Sequence, residues 1–363
     1  MTDPQLIELA RVGAGLTQGA LAHALGITQP FVSQVERGER PIPEQLIDAW
    51  AELCEVAPSF FRRSDGPMSS ALAASVHRRL KTLPTKPFNV TSAQMQIASL
   101  EVDSLFQEVE VTPALELPQF PVGIGAADAA DALRRIWRVP DGPIANLTML
   151  VESAGVPVLL IDWFHEKHSG VAQRGRWFEW LIAINASHPP SRRRFTLGHE
   201  LAHVVLGHDR RIAVENIEAN SLENDAHAFA ASLLLPERDA LRELRRVTLR
   251  RLVDLKQRWR VSMAFLIRRA YECELLGERE QARLYMELGS LPGGRVREPA
   301  EFSAEEPTLI QRMVESLRSA GLSLTEIAET MTTSEARLRN VYLHERTHLR
   351  PVANRQPRAR LQL

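Results

Sequence analysis

One five-residue pattern constrains this chain more than any other stretch, namely His199-Glu200-Leu201-Ala202-His203. On a helix, residues four positions apart project from the same face, so the two imidazoles can reach one metal ion. Glu200 sits one step round that helix, close enough to act as a general base on a water molecule at the metal. An apolar stripe at helical spacing supports the helix, and Ser191 is predicted to cap it. The alternative is an amphipathic helix with two partly buried histidines.

A second helix, predicted from Ser221 to Pro236, provides a third metal-ligand candidate. A catalytic zinc site needs three protein ligands and an open position for water. Glu223, at the start of this helix, would complete such a set with the two histidines. Asp225 is the alternative ligand if the helix faces differently, and otherwise it would orient a ligating histidine.

These two helices resemble those of the ImmA/IrrE family of metallopeptidases. The resemblance rests on the His-Glu-x-x-His motif, on Glu-x-x-Ala-x-x-Phe-Ala from Glu223 to Ala230, and on the leucines and proline from Leu233 to Pro236. It implies a zincin-like domain, a zinc-dependent endopeptidase that cleaves a specific repressor or other regulator. In that reading Zn²⁺ is the cofactor, His199, His203 and Glu223 are its ligands, and Glu200 is the catalytic residue.

Further residues of this region have roles that the sequence leaves open. A second donor to the oxyanion is usual in such sites. His208 and His227 are the nearest candidates, and a supporting or surface position is the alternative for each. Trp177, Phe178 and Trp180 precede the motif. They either form a wall for an extended peptide substrate or belong to the core, and the second interpretation is favoured.

The chain from Thr2 to Phe61 predicts five short helices, with a turn at Gly26-Ile27 between the second and third. Leu16-Thr17-Gln18, Gly26 to Gln29 and Val32 to Gly38 make this stretch similar to the Xre/Cro family of helix-turn-helix repressors. In that family the third helix enters the major groove of DNA. Carried over by position, the candidate DNA contacts are Thr17, Gln18, Thr28, Gln29, Ser33 and Gln34.

The charge of this stretch argues against strong DNA binding. Up to Phe61 it contains the basic residues Arg11, Arg37 and Arg40 and a larger number of acidic ones, Asp3, Glu8, Glu36, Glu39, Glu44, Asp48, Glu52 and Glu55. Non-specific DNA affinity comes mainly from neutralising phosphates, so it should be weak here. Binding of a protein partner, or self-association, is the alternative role for this region.

The predicted fold class is mainly α with a small β-sheet, an α+β arrangement. The strands are predicted around 155–161, 170–174 and 177–185, just before the motif helix. The predicted divisions are a helix-turn-helix domain (1–63), a linker and connecting helix (64–125), the metallopeptidase-like domain (126–290), a helical C-terminal region (291–345) and a basic, disordered tail (346–363).

Composition sets broader limits. The 363 residues are 44% hydrophobic and 25% charged, which is typical of a globular protein, and the two cysteines predict free thiols in a reducing cytoplasm. No signal peptide or membrane-spanning run is expected. The expected partners are DNA and a protein substrate, without a membrane, and a homodimer is the default assembly.

The combined prediction is a DNA-binding regulator with a zinc endopeptidase domain, and the resemblance to the ImmA/IrrE family implies a role in stress responses or toxin–antitoxin-like pairs. The alternative is a transcription regulator, or a toxin or antitoxin partner, whose metal site is structural or inactive.

Overall fold

A computed structural model describes residues 2–64, 85–162, 168–214, 219–294 and 297–345. Residues 65–84 of the predicted linker and connecting helix (64–125), and the basic tail predicted for 346–363, lie outside these ranges. Helices dominate the described residues, and one three-stranded sheet accompanies them. The predicted fold class, mainly α with a small β-sheet, is therefore confirmed.

The N-terminal unit contains the five predicted helices. Thr17 begins α2 by accepting a hydrogen bond from the amide of Ala20 at 3.1 Å, and Gly26 ends α2 in the left-handed region at φ 68°. Thr28 precedes α3, but its side chain makes no cap bond there. The helices are α1 (Pro4–Gly13), α2 (Gln18–Leu25), α3 (Gln29–Glu36), α4 (Glu44–Leu53) and a 3₁₀ helix (Pro58–Arg62).

A long helix, α5 (Thr85–Glu108), connects this unit to the rest of the molecule. It is the connecting helix that the sequence predicts within residues 64–125. Its side chains enter two different cores. Ile97 and Leu100 pack in the core of the N-terminal unit, and a second core, shared with the sheet and the last helices, receives Met95, Ala98, Val102 and Leu105.

The remaining helices surround the sheet or follow it in the chain. Before the motif come α6 (Ala126–Ile136) and α7 (Leu147–Ser153). The central and later helices are α8 (Pro190–Val205), α9 (His208–Val214), α10 (Ala219–Leu234), α11 (Glu237–Glu243), α12 (Leu249–Trp259), α13 (Met263–Glu272) and α14 (Glu278–Gly289). The C-terminal ones are α15 (Leu309–Ser319), α16 (Leu324–Thr330) and α17 (Glu335–Arg337), which continues as a π-helical turn to Tyr342.

The sheet separates two cores. Its strands are β1 (Val158–Ile161), β2 (Gly170–Gln173) and β3 (Leu181–Asn185); β3 lies in the centre, parallel to β1 and antiparallel to β2. Successive side chains of a strand point to opposite faces. Accordingly, Ile182 and Ile184 pack with the helices that carry the motif, whereas Leu181 and Ala183 pack with α5 and the C-terminal helices.

Two predicted boundaries in this region are wrong. The strand predicted from Trp177 begins only at Leu181, because Asp103 of α5 accepts the backbone amides of Arg176 and Trp177 at 2.9 and 3.0 Å and holds that segment as a turn. Burial raises the pKa of this Asp103 carboxyl. The motif helix has Pro189 at its N-cap position and no side-chain cap, so Ser191 lies inside the first turn rather than capping it.

Both cysteines are free, as predicted, and burial raises the pKa of Cys54 to about 12. In the part of the chain that the structure describes, no helix combines the length and the apolar character needed to cross a bilayer.

Candidate metal centre

Small residues bring the two helices of the proposed site together. Gly198 on α8 faces Ala230 on α10, and a Cβ built on Gly198 would lie 3.5 Å from the Cβ of Ala230. Close approach of two helices needs small side chains at the crossing, and this pair supplies them. The motif face of α8 and the Glu223 end of α10 therefore meet in one cluster.

Three ligand-type side chains converge there. The Nε2 atom of His199 lies 3.1 Å from the Nε2 of His203 and 3.1 Å from Oε2 of Glu223, and the Nε2 of His203 lies 3.5 Å from Oε1 of Glu223. Ligand atoms about 2.1 Å from a tetrahedral zinc ion are about 3.4 Å from one another. The cluster fits a metal ion in donor type and spacing, and it is a group that can hold one.

The cluster is open on one side. The side chain of His203 is only 1% exposed and that of His199 is 13% exposed, whereas Glu223 is 42% exposed. Solvent or a substrate can therefore approach past the carboxylate, as an open catalytic position requires. Asp225, the alternative ligand, instead faces Arg211 at 3.6 Å.

The side chain of Glu200 extends from the motif helix to the edge of the sheet. It is 4% exposed, and Gly170 of β2 is so near that a Cβ on that glycine would lie 3.2 Å from Cγ of Glu200. The predicted base therefore lies beside β2, which is an edge strand among the described residues.

Two further histidines surround the cluster in different ways. His208 is fully buried, and its Nδ1 lies 2.8 Å from Nδ1 of His203, on the side of that ring away from the ligand-type nitrogen. The His227 ring lies 4.6 Å from the His199 ring and stacks on Phe195 at 5.7 Å. Burial, with a further contribution from His199, lowers the pKa of His227. Sequence spacing did not reveal either contact.

The aromatic residues before the motif divide between the two interpretations. Phe178 and Trp180 are buried, as favoured from the sequence. Trp177 is 60% exposed, so it is not a core residue. Arg174 stacks over Trp180 at 4.3 Å and donates a hydrogen bond to Asp209 at 2.8 Å.

The candidate DNA contacts lie on the helix-turn-helix segment. Gln29 donates a hydrogen bond to Gln18, which in turn donates to Glu36, each at 2.7 Å. Glu36 also pairs with Arg11, at 2.5 Å. The Ser33 hydroxyl accepts a bond from Arg37 at 2.8 Å. The structure thus joins Gln18 and Gln29 in one network, places Thr17 and Thr28 at the starts of the same two helices, and leaves Gln34 half-buried on α3.

Comparisons with known families agree with these two regions. Residues 7–61 match the helix-turn-helix family model, and residues 151–271 match the peptidase family model described as the IrrE N-terminal-like domain. The comparison with curated proteins found no match. The second matched region contains the three strands, the motif helix and the helix of Glu223. The chain is therefore a fusion of an Xre-type helix-turn-helix region with an ImmA/IrrE-like peptidase-family region.

Proposed function

We propose that this protein is a cytoplasmic DNA-binding regulator whose zinc centre hydrolyses a peptide bond in a specific protein, such as a repressor. The observation that carries the proposal is the convergence of His199, His203 and Glu223, with all ligand-type atoms within 4.8 Å and Glu200 next to them. The match to a peptidase family model supports it, as does the helix-turn-helix match at the other end of the chain.

In the proposed reaction, His199 and His203 as neutral imidazoles and Glu223 as a carboxylate would hold Zn²⁺. A zinc ion held there would supply Lewis-acid chemistry to the water and to the peptide carbonyl. Glu200 accepts the proton of the attacking water on its carboxylate and then delivers that proton to the leaving amine. Burial of Glu200 beside β2 keeps its carboxylate in a fixed position for both transfers.

The edge strand offers a place for the substrate backbone. An extended peptide can add to an open strand edge through main-chain hydrogen bonds, and β2 is such an edge among the described residues. Because Gly170 of β2 lies directly against Glu200, a peptide paired with β2 would pass the proposed base. Most of a folded substrate has no extended segment free to pair with β2. This geometry therefore favours cleavage at one specific exposed segment over general digestion.

Metal content tests the centre first. Protein purified without added metal should contain about one zinc per chain, Glu223→Ala should lose most of it, and Glu200→Gln should retain it. A wild-type protein that is folded, metal-free and unable to take up zinc would contradict the proposal. It would favour the alternative, a regulator or a toxin–antitoxin-type partner on an inactive peptidase scaffold.

Proteolysis needs its own measurement. In the native cell, new protein N-termini should appear with the wild type and be absent with Glu200→Gln, because that variant keeps the metal ligands and lacks the base. The same N-termini in both strains would remove Glu200 from the mechanism.

For the N-terminal unit we propose that Gln29, Ser33 and Gln34 of α3 read DNA, with Thr17, Gln18 and Thr28 at the adjoining helix starts. Glutamine amides suit adenine, which presents an acceptor and a donor in the major groove. Because the unit is acidic, binding should depend on base contacts more than on phosphate neutralisation.

A footprint on the protein's own upstream DNA at low salt should show a site that Gln29→Ala weakens. Absence of any site would contradict DNA binding.

A further inference from the structure

A cavity of about 610 Å³ opens beside the candidate metal centre, between the first half of α8, α10 and α13. Two of its lining residues lie one helical turn from proposed ligands, since Phe195 precedes His199 by four residues and His227 follows Glu223 by four. One turn of helix is about 5.4 Å. The cavity therefore begins one helical turn from the metal cluster along both helices.

The cavity walls are largely apolar. Phe195 contributes a ring that stacks on His227 and lies 5.8 Å from the Phe265 ring. Ala231 and Ala264 add small apolar surfaces that leave the interior open. A volume of this size lies within the range of sites that hold drug-sized ligands, so it has room for one large side chain.

The charged residues at this cavity already have partners within the protein. Arg268 donates to Glu272 at 2.8 Å, and Arg192 donates to the Ser169 hydroxyl at 2.9 Å. Glu298 accepts the amides of Met263 and Ala264, together with the ammonium of Lys256. A ligand that is itself charged would have to compete with these contacts, whereas an apolar group would not. The cavity therefore favours an apolar occupant.

The bond between Arg192 and Ser169 also links the cavity rim to the chain just before β2. A peptide laid along β2 would pass Glu200 at Gly170 and would reach this rim within one residue. A side chain adjoining the cleaved bond would then lie at the mouth of the cavity.

We propose that this cavity is a specificity pocket, which receives a bulky apolar side chain, aliphatic or aromatic, next to the cleaved peptide bond. The inference rests on the proposed peptidase function, and it adds the substrate class that the metal centre alone does not define.

Hydroxamates test the pocket without needing a substrate, because their headgroup binds zinc while the attached chain is varied. Zinc-loaded full-length protein is titrated by calorimetry with acetohydroxamate, isocaproyl hydroxamate and phenylpropionyl hydroxamate. The two larger compounds should bind at least about tenfold more tightly than acetohydroxamate, since apolar groups in a fitted pocket discriminate to that degree.

Variants place the effect in the cavity. Ala231→Leu fills the cavity and should abolish the preference while acetohydroxamate still binds. Ala228→Leu adds the same atoms on an exposed position of α10 and should keep the preference. If Ala231→Leu does not fold, Ala264→Leu provides the same test from α13.

The outcomes separate the pocket from the metal centre. Acetohydroxamate binding with no preference for the larger chains would overturn the pocket and leave the metal centre standing. A preference that survives both filling variants would also overturn it. No binding of acetohydroxamate to the zinc-treated protein would overturn the proposed function and the pocket with it.

Discussion

His208 contacts the His203 ring at its Nδ1 atom, away from the metal-ligand candidate Nε2. The two Nδ1 atoms lie 2.8 Å apart and His208 is fully buried, so one ring donates a hydrogen bond to the other and fixes which nitrogen of His203 faces the cluster. Partners of this kind orient metal ligands and raise their basicity. His208 therefore has a positioning role at the proposed centre rather than a place among the ligands.

Replacing His208 should weaken metal binding without removing a ligand. We expect His208→Ala to lower zinc affinity by about 10- to 100-fold, measured by competition with a chromophoric chelator. His208→Asn is the matched control, because its amide can occupy the position of Nδ1 and should restore much of the affinity. An unchanged affinity in His208→Ala would show that the contact does not orient His203.

The proposed ligands and their support differ in how far the sequence could predict them. His199 and His203 are four residues apart on one helix, and Glu223 follows in a recognisable second pattern, so local spacing and resemblance were sufficient to predict that these three side chains lie together. The bond between His203 and His208 depends on how the chain turns after α8 at Gly207, whose φ is 61°. Residue spacing does not specify that turn. The sequence therefore left open whether His208 is a second oxyanion donor or a supporting residue.

At the level of elements, β2 and α8 meet with no spare space. A Cβ on Gly170 would lie 2.6 Å from Cγ2 of Thr196, 3.1 Å from the carbonyl oxygen of Ala183 and 3.2 Å from Cγ of Glu200. The strand can lie this close to the motif helix only because residue 170 has no side chain. This contact defines the position of the proposed base relative to the sheet edge.

Gly170→Ala should separate β2 from α8. We expect a loss of about 1–3 kcal/mol in the free energy of unfolding, measured in urea, and reduced cleavage with zinc content preserved, since the added Cβ lies against the Glu200 side chain and no proposed ligand is among its nearest neighbours. Gly289→Ala is the control, because a Cβ there meets no heavy atom within 4 Å among the described residues. Residue 289 is the last residue of α14, so this variant should be neutral or slightly stabilising. Equal stability of both variants would contradict the argument.

Sequence periodicity located the elements better than their ends. The motif helix, the helix of Glu223 and the three strands are where the pattern predicted them, because apolar spacing reports the buried face of each element. The start of β3 was predicted too early because Trp177 and Phe178 look like strand residues. Their conformation is determined by Asp103, a residue on α5 far away in the chain, and local patterns contain no information about such a contact.

Across the whole molecule, the C-terminal helices contact both the N-terminal unit and the peptidase-like region. The amide of Ala57 donates to the carbonyl of Thr332 at 3.2 Å, and Arg63 donates to the Thr332 hydroxyl at 2.8 Å. The same helices share a core with α5 and with one face of the sheet. The helical C-terminal region therefore packs against both other regions, and the predicted divisions of the sequence do not show these contacts.

One buried ion pair lies at the centre of this junction. Glu101 of α5 is fully buried, and it accepts hydrogen bonds from Arg337 at 3.0 and 3.1 Å and from the Tyr342 hydroxyl. Burial opposes the charge of Arg337, but the facing carboxylate holds its pKa above the ordinary value. Burial and the same carboxylate raise the pKa of Tyr342, which therefore stays protonated and donates. Each partner compensates the desolvation of the others.

Removing one member of this network should destabilise the molecule more than removing a pair. Glu101→Leu leaves a buried guanidinium without its counter-charge, and we expect it to lower the free energy of unfolding by about 3–5 kcal/mol in urea. Glu101→Leu with Arg337→Met should recover much of that loss, because both charges are then absent. Arg339→Met, which breaks exposed ion pairs with Glu335 on the preceding turn and with Glu345, should cost less than about 1 kcal/mol. The contrary outcome is that Glu101→Leu lowers the free energy of unfolding no more than Arg339→Met does. In that case the buried ion pair does not stabilise the contact between α5 and the C-terminal helices, and the apolar core between them does so alone.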